Sequence, residues 1–167
     1  MQTTFTPEDF KETFKPILMK WTRNYGVFMG AVILFVFSFH HMLPDVVSTW
    51  GMGVLRVIDY GVNVMGGIAI GVNAFGIVAI GLNAPSIVSI GANAVGIVAI
   101  GLNAIGVVAI GINANGIYAL GGNANGVVAM GWRSHGIYSF SYSEKGRGKY
   151  LFAPHRQDPK AAAFFIR

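Results

Sequence analysis

GANAVGIVAIGLNAIGVVAI, residues 91–110, is one decapeptide written twice with small changes. Aligned on glycine, the unit starts at Gly61, Gly71, Gly81, Gly91, Gly101, Gly111, Gly121 and Gly131. Its consensus is G-x-N-A-x-G-I-V-A-I. Asn stands third at Asn63, Asn73, Asn83, Asn93, Asn103, Asn113 and Asn123, and Arg133 ends that series. Glycine recurs at the sixth place, with Ser86 as its substitute. Self-similarity at a fixed period marks a repeat architecture.

What ten residues can do narrows the architecture. Ile-Val-Ala-Ile is β-branched and strand-like. Asn-Ala-x-Gly has Asn and Gly at the first and fourth places of a type I turn. Strand plus turn without a helix predicts a mainly β chain, a short-period β-solenoid. Equivalent residues would stack in ladders about 4.8 Å apart, with Asn hydrogen-bonded along the stack. Ten extended residues measure about 33 Å, so a closed turn of ten leaves almost no core. The expectation is therefore ten residues per side and twenty per coil, with ten per coil as the other reading. Glycine-rich transmembrane helices compete on hydropathy alone. Against them, the units are dense in Gly and β-branched residues, which are weak helix formers.

The unit resembles the short-period bacterial repeat proteins, namely the pentapeptide-repeat proteins and, more loosely, the bactofilins. The resemblance rests on G-x-N-A-x-G-I-V-A-I over about half the chain. It departs from the pentapeptide pattern in having Gly two places after Ala. It implies a structural, polymerising habit and assigns no functional residue.

Charge is unevenly placed. Charged residues are 11% of the chain, hydrophobic residues 53%, and the formal net charge is +5. Between Asp59 and Arg133 there is no Asp, Glu, Lys or Arg. A lone soluble domain usually keeps a mixed, charged surface. There is no Cys, which excludes disulfides and thiolate-held metals.

Before the repeats, Thr6, Pro7, Glu8 and Asp9 are helix-start signals. Residues 1–24 read as a cytoplasmic amphipathic segment, with Phe10, Phe14, Ile17, Leu18 and Trp21 at helical spacing and Pro16 as an expected break. Residues 25–43, YGVFMGAVILFVFSFHHML, read as a single transmembrane helix. A cleaved signal peptide fits less well, because no A-x-A site follows the run. Lys11, Lys15, Lys20 and Arg23 precede the span, so the positive-inside rule puts the N-terminus in the cytoplasm and the repeats outside it. Residues 44–60 read as linker and N-terminal cap, 61–140 as the repeats, and 141–167 as a basic C-terminal cap and docking tail.

No catalytic constellation is visible: Asp45 and Asp59 are isolated, and no nucleophile has a base beside it. His40 and His41 close the apolar run and could ligate haem or chlorin; an interfacial pair meeting headgroups is the plainer reading, and no other cofactor or metal is expected. The repeat exposes more apolar positions than one interior can take. Two ladders are candidate interaction surfaces: Val78, Val98 and Val108 at the eighth place, and Val72, Leu82 and Leu102 at the second. The leading reading is a non-enzymatic, membrane-anchored scaffold subunit, packed against a protein partner or copies of itself. Membrane lipid is a further partner and nucleic acid is not one. The alternative is an accessory subunit of a membrane redox or light-harvesting complex.

Overall fold

The computed structural model describes residues 5–42 and 58–166, leaving out the side chains of 36, 37 and 39–42. Helix α1 spans Pro7–Met42. Strand β1 spans Ile58–Ser141, followed by β2 (Arg147–Ala153), β3 (Arg156–Gln157) and helix α2 (Pro159–Phe165). β1 pairs in parallel with β2, and β2 antiparallel with β3, in one sheet of order β1-β2-β3.

β1 has 84 residues. Drawn straight, it would measure roughly 280 Å. Its side chains show that it is not straight. Asn73 donates to Asn63 at 2.7 Å, Asn83 to Asn73 at 2.8 Å, and the series continues to Asn123, which donates to Asn113 at 2.9 Å. Residues ten apart in sequence therefore lie one above the other. The chain returns on itself once per decapeptide.

This return leaves room for very little inside. The buried positions are the fourth and ninth of each unit: Ala74, Ala79, Ala84, Ala94, Ala99, Ala104 and onward to Ala129, all at or near zero exposure. Glycine fills the first place throughout, and the sixth in all units but the one with Ser86, because an added Cβ there meets backbone. A Cβ on Gly106 would collide with the carbonyl oxygen of Gly96 and meet that of Ile97 at 3.1 Å. Close backbone approach, not backbone angle, is the reason: among the described residues only Gly61 has a positive φ. Where the unit departs from Gly and Ala, hydroxyls find partners. Ser86 Oγ bonds Val88 O at 2.6 Å, Ser89 Oγ bonds Val95 O at 2.7 Å, and Ser134 and Ser139 meet at 2.5 Å.

The C-terminal end of β1 is covered. Tyr138 and Phe140 of β1 align with Tyr150 and Phe152 of β2. Asp158 pins this layer: its carboxylate accepts from Leu151 N at 2.7 Å and its own N–H donates to Leu151 O at 2.8 Å. Phe10 and Phe152 are fully buried there beside Ala161 and Ala162, with Phe14 and Phe140 around them. Their rings meet at 4.8–5.9 Å, mostly edge-on or tilted. Such pairs add about 0.5–1.5 kcal/mol each beyond area burial. Gln157 clamps the incoming chain, accepting from Phe5 N at 2.8 Å and donating to Phe5 O at 2.7 Å.

α1 begins on this plug and runs back along β1. Thr6 caps it, its Oγ1 accepting from Asp9 N at 3.1 Å. Of the break or kink expected at Pro16, the break does not occur: the helix runs on through it. Its less exposed residues, Phe10, Phe14, Leu18, Trp21, Tyr25, Met29 and Val32, form one stripe at spacings of three and four. The stripe follows the stack. From Phe10 to Tyr25 the helix rises about 22 Å. Phe10 touches Phe140 and Phe152, and Tyr25 reaches Gly101 and Ile110. Four windings between those points cover about 19 Å. Helix and stack therefore run side by side.

Two expectations are corrected here. Among the described residues no helix is long and apolar enough to cross a membrane. The stretch 25–42 belongs to a helix laid against β1, so the single-pass membrane assignment and its cytoplasmic N-terminus are withdrawn. The short-period β-solenoid, expected with twenty-residue coils, is also overturned: the sheet is open, three strands in the order β1-β2-β3, and the spacing of stacked residues within β1 is ten. The physical reason is residue size, because Gly and Ala permit a winding half as long as larger interior residues would need. Of the expected linker and cap 44–60, residues 44–57 lie outside the described residues.

Gly106→Ala should therefore destabilise by about 1–3 kcal/mol or more, as overpacking does. At Gly26 an added Cβ would meet nothing within 4 Å, so Gly26→Ala should stabilise by up to about 1 kcal/mol through helix propensity. Denaturant unfolding of the two variants measures both, and equal effects would contradict the stacking.

Candidate functional site

With the interior taken almost wholly by Gly, Ala and Ser, most of the larger apolar residues point outward. The seventh place forms the most regular exposed ladder: Ile77 60%, Ile87 50%, Ile97 54%, Val107 42%, Ile117 47%, Val127 43% and Ile137 46% exposed. The fifth place exposes Phe75, Val95 and Ile105, then turns polar at Asn115 and Asn125, which bond each other at 3.0 Å. The sequence-predicted residues lie on two other ladders. Val78, Val98 and Val108 form one, Val72, Leu82 and Leu102 the other, and all six are half-buried. The seventh-place ladder was missed. Its signal was present in residue sizes: once the winding is ten, a column of small residues takes the interior and the Ile and Val of the seventh place face out.

One edge of β1 is covered by α1. Tyr25 OH donates to Gly101 O and sits 3.3 Å from Ile110 O, stacked on Trp21 at 5.2 Å between ring centroids. Burial pushes the Tyr25 phenol up from 10.0 to about 12. Nearby, Phe14, Leu18, Trp21, Leu120, Met130 and Phe140 line an apolar cavity of about 240 Å³ between helix and strand.

The charges missing from the repeats gather at one end. Trp132, Arg133, Tyr142, Ser143, Glu144, Lys145 and Lys11 line an open cleft of about 480 Å³. A second cleft of about 580 Å³ shares Arg133, Glu144 and Lys145, and adds His135 and Arg147. Lys11 reaches from α1 to Glu144 at 3.3 Å. The turn bearing Glu144 and Lys145 is held by backbone bonds from Tyr142 N to Gly131 O (3.0 Å) and from Ser143 N to Trp132 O (2.9 Å). Ser141 Oγ adds bonds to Trp132 O and Ser143 O.

His40 and His41 fall on the last turn of α1, and their side chains lie outside the described residues. Among the described residues no three His, Asp or Glu converge on a point where a metal could sit. The basic tail was recognised in the sequence, but its convergence with Lys11, more than a hundred residues away, was not. No family model matches the chain, and no curated protein or solved structure matches it either.

Tyr25 makes helix docking pH-dependent. The neutral phenol is favoured in the folded state, so its contribution is complete below pH 10 and is lost as pH rises towards 12. Thermal unfolding should show wild type losing stability across that window by more than Tyr25→Phe does. At neutral pH the variant should be weaker by about 1 kcal/mol. Parallel curves above pH 10 would remove Tyr25 from the docking contact.

Proposed function

We propose that the protein is a non-enzymatic scaffold subunit whose uncharged repeat packs, through its exposed apolar ladders, against a protein partner or against copies of itself. The observation that carries this reading is the seventh-place ladder, seven Ile or Val side chains each 42–60% exposed. Six of the seven, Ile77 to Val127, stand on a stretch, 60–132, with no Asp, Glu, Lys, Arg, His or Cys. An apolar surface of this regularity loses free energy by being covered. The interior has no place for these side chains, so the cover must come from another surface. The same stretch holds hydroxyls, such as Ser86, Ser89 and Tyr118, but no carboxylate, imidazole, amine or thiol to act as a base beside them. The alternative, attachment to a membrane redox or light-harvesting complex through a spanning helix, loses its attachment with that helix.

Ile97, Ile117 and Ile137 replaced together by Lys test this directly. The side chains are about half exposed, so the chain should fold, with circular dichroism unchanged and stability altered by less than about 1 kcal/mol per site. Mass in solution, by light scattering, should fall from that of an assembly to that of one chain. The sets Val78, Val98, Val108 and Val72, Leu82, Leu102 give the same comparison for the half-buried ladders. A wild-type chain that is monomeric and binds no partner, or an assembly untouched by all three sets, would sink the scaffold reading.

A further inference from the structure

The two clefts at the C-terminal end of β1 carry charge that the fold does not neutralise. Four cations, Lys11, Arg133, Lys145 and Arg147, line them together with one carboxylate, Glu144. Counting Lys, Arg and Glu alone, four positive charges less one leave three. Glu144 is already engaged with Lys11. Among the described residues no carboxylate pairs with Arg133, Lys145 or Arg147. The other cations of this end are placed differently. Arg156 pairs with Asp158 at 3.0 Å, and Lys149 and Lys160 lie 5.6 and 5.3 Å from the centre of the Tyr150 ring. Unpaired like charges drawn together repel, and the repulsion is relieved when an anion enters.

We propose that these two clefts, joined through Arg133, Glu144 and Lys145, form one basic site that binds the phosphate group of a phosphate monoester. The chemistry favours phosphate over a carboxylate for two reasons. A dianion matches the surplus charge better than a monoanion. Guanidinium groups, here Arg133 and Arg147, bond phosphate oxygens in pairs, as a fork. Ser143 adds a hydroxyl: its Oγ accepts from Lys145 N at 3.3 Å, which leaves its hydrogen free to donate. The walls also suit the rest of a monoester. Trp132, exposed and backed by the buried Tyr142 ring 4.8 Å away between centroids, flanks the first cleft and offers an aromatic face to an organic group.

The site is built before any ligand arrives. Gly146 closes the turn against Ser141, whose Oγ lies 2.6 Å from where a Gly146 Cβ would stand, so no other residue fits there without a shift. Arg133 occupies the third place of its unit, the place held by Asn in the units before it. The Asn ladder thus ends in a guanidinium at the mouth of the cleft. Lys11 belongs to α1, whereas Lys145 and Arg147 belong to the cap, so a bound phosphate ties the two together. Ligand that binds only this arrangement raises the stability of the fold. This proposal does not rest on the ladders and stands or falls apart from the scaffold reading.

Calorimetric titration of the full chain with inorganic phosphate and with phenyl phosphate tests it. Saturable binding is expected, tighter for phenyl phosphate, with a rise in melting temperature for both. Arg133→Ala and Arg147→Ala should each weaken binding by about tenfold, while Lys160→Ala leaves it unchanged. Glu144→Gln removes the competing carboxylate and should tighten binding, an effect that mere structural damage does not produce. Flotation with phosphatidylcholine vesicles, with and without phosphatidic acid, separates the sources: capture only with phosphatidic acid, abolished by Arg133→Ala, makes a lipid headgroup the monoester; no capture alongside soluble binding makes it a free metabolite. Absence of saturable binding to either soluble probe, or binding of equal strength in Arg133→Ala and Arg147→Ala, would overturn the site.

Discussion

Each winding of β1 rests on the absence of a Cβ. Glycine at the first and sixth places lies directly over the carbonyl of the residue ten earlier, so close that an added Cβ would force a shift. That contact sets the length of the winding, and the winding sets the interior. What remains inside is a column of Ala, broken at Ser89, Ser134 and Ser139 by hydroxyls that bond one another or nearby carbonyls. A core of methyl groups has little apolar area to bury per residue. The Asn ladder compensates in another way, with one side-chain hydrogen bond per step, exposed but repeated from Asn63 to Asn123.

Such a stack is only as good as its ends and edges. At the C-terminal end, β2 adds a further layer and Phe10, Phe14, Phe140 and Phe152 close it. This plug supplies the large buried side chains that the repeats cannot hold. It is assembled from both ends of the sequence, with Gln157 gripping the backbone of Phe5 in a reciprocal pair of bonds. α1 extends the cover along one edge through a narrow stripe ending in Tyr25 and Met29. The remaining sides of α1 are exposed, including Val27 and Leu34 at 70% and 68%. A helix that buries one stripe and an interior that excludes large residues leave the same result, apolar surface facing outward.

Charge and apolar surface are thus separated along the molecule. The repeat is neutral and presents ladders; the cap is basic and presents a cleft. The separation follows from the stack itself. A charge placed in the repeat would stand in a ladder of its copies, like beside like at the spacing of adjacent strands. Asn and aliphatic residues avoid that repulsion, so along β1 from Tyr60 the first cation comes where the repeat stops, at Arg133.

Much of the local structure was legible in the sequence. The period of ten, the β character of the repeat, the stacking of Asn and the helix start at Thr6-Pro7 follow from composition and spacing, because each depends on contacts within one or two units. The apolar run 25–43 was misread for the same reason: hydropathy records what a segment can bury, not against what, and a helix lying on an apolar stack resembles a helix in lipid. The twenty-residue coil was expected because an interior was assumed to need large side chains. Tertiary structure decided what depends on distant partners. It placed Ile77 to Ile137 outside, brought Lys11 to Glu144, and joined Phe10 to Phe152. Those outcomes turn on how closely two backbones can approach across ten residues, and on which surfaces remain once they have, quantities that no single segment contains.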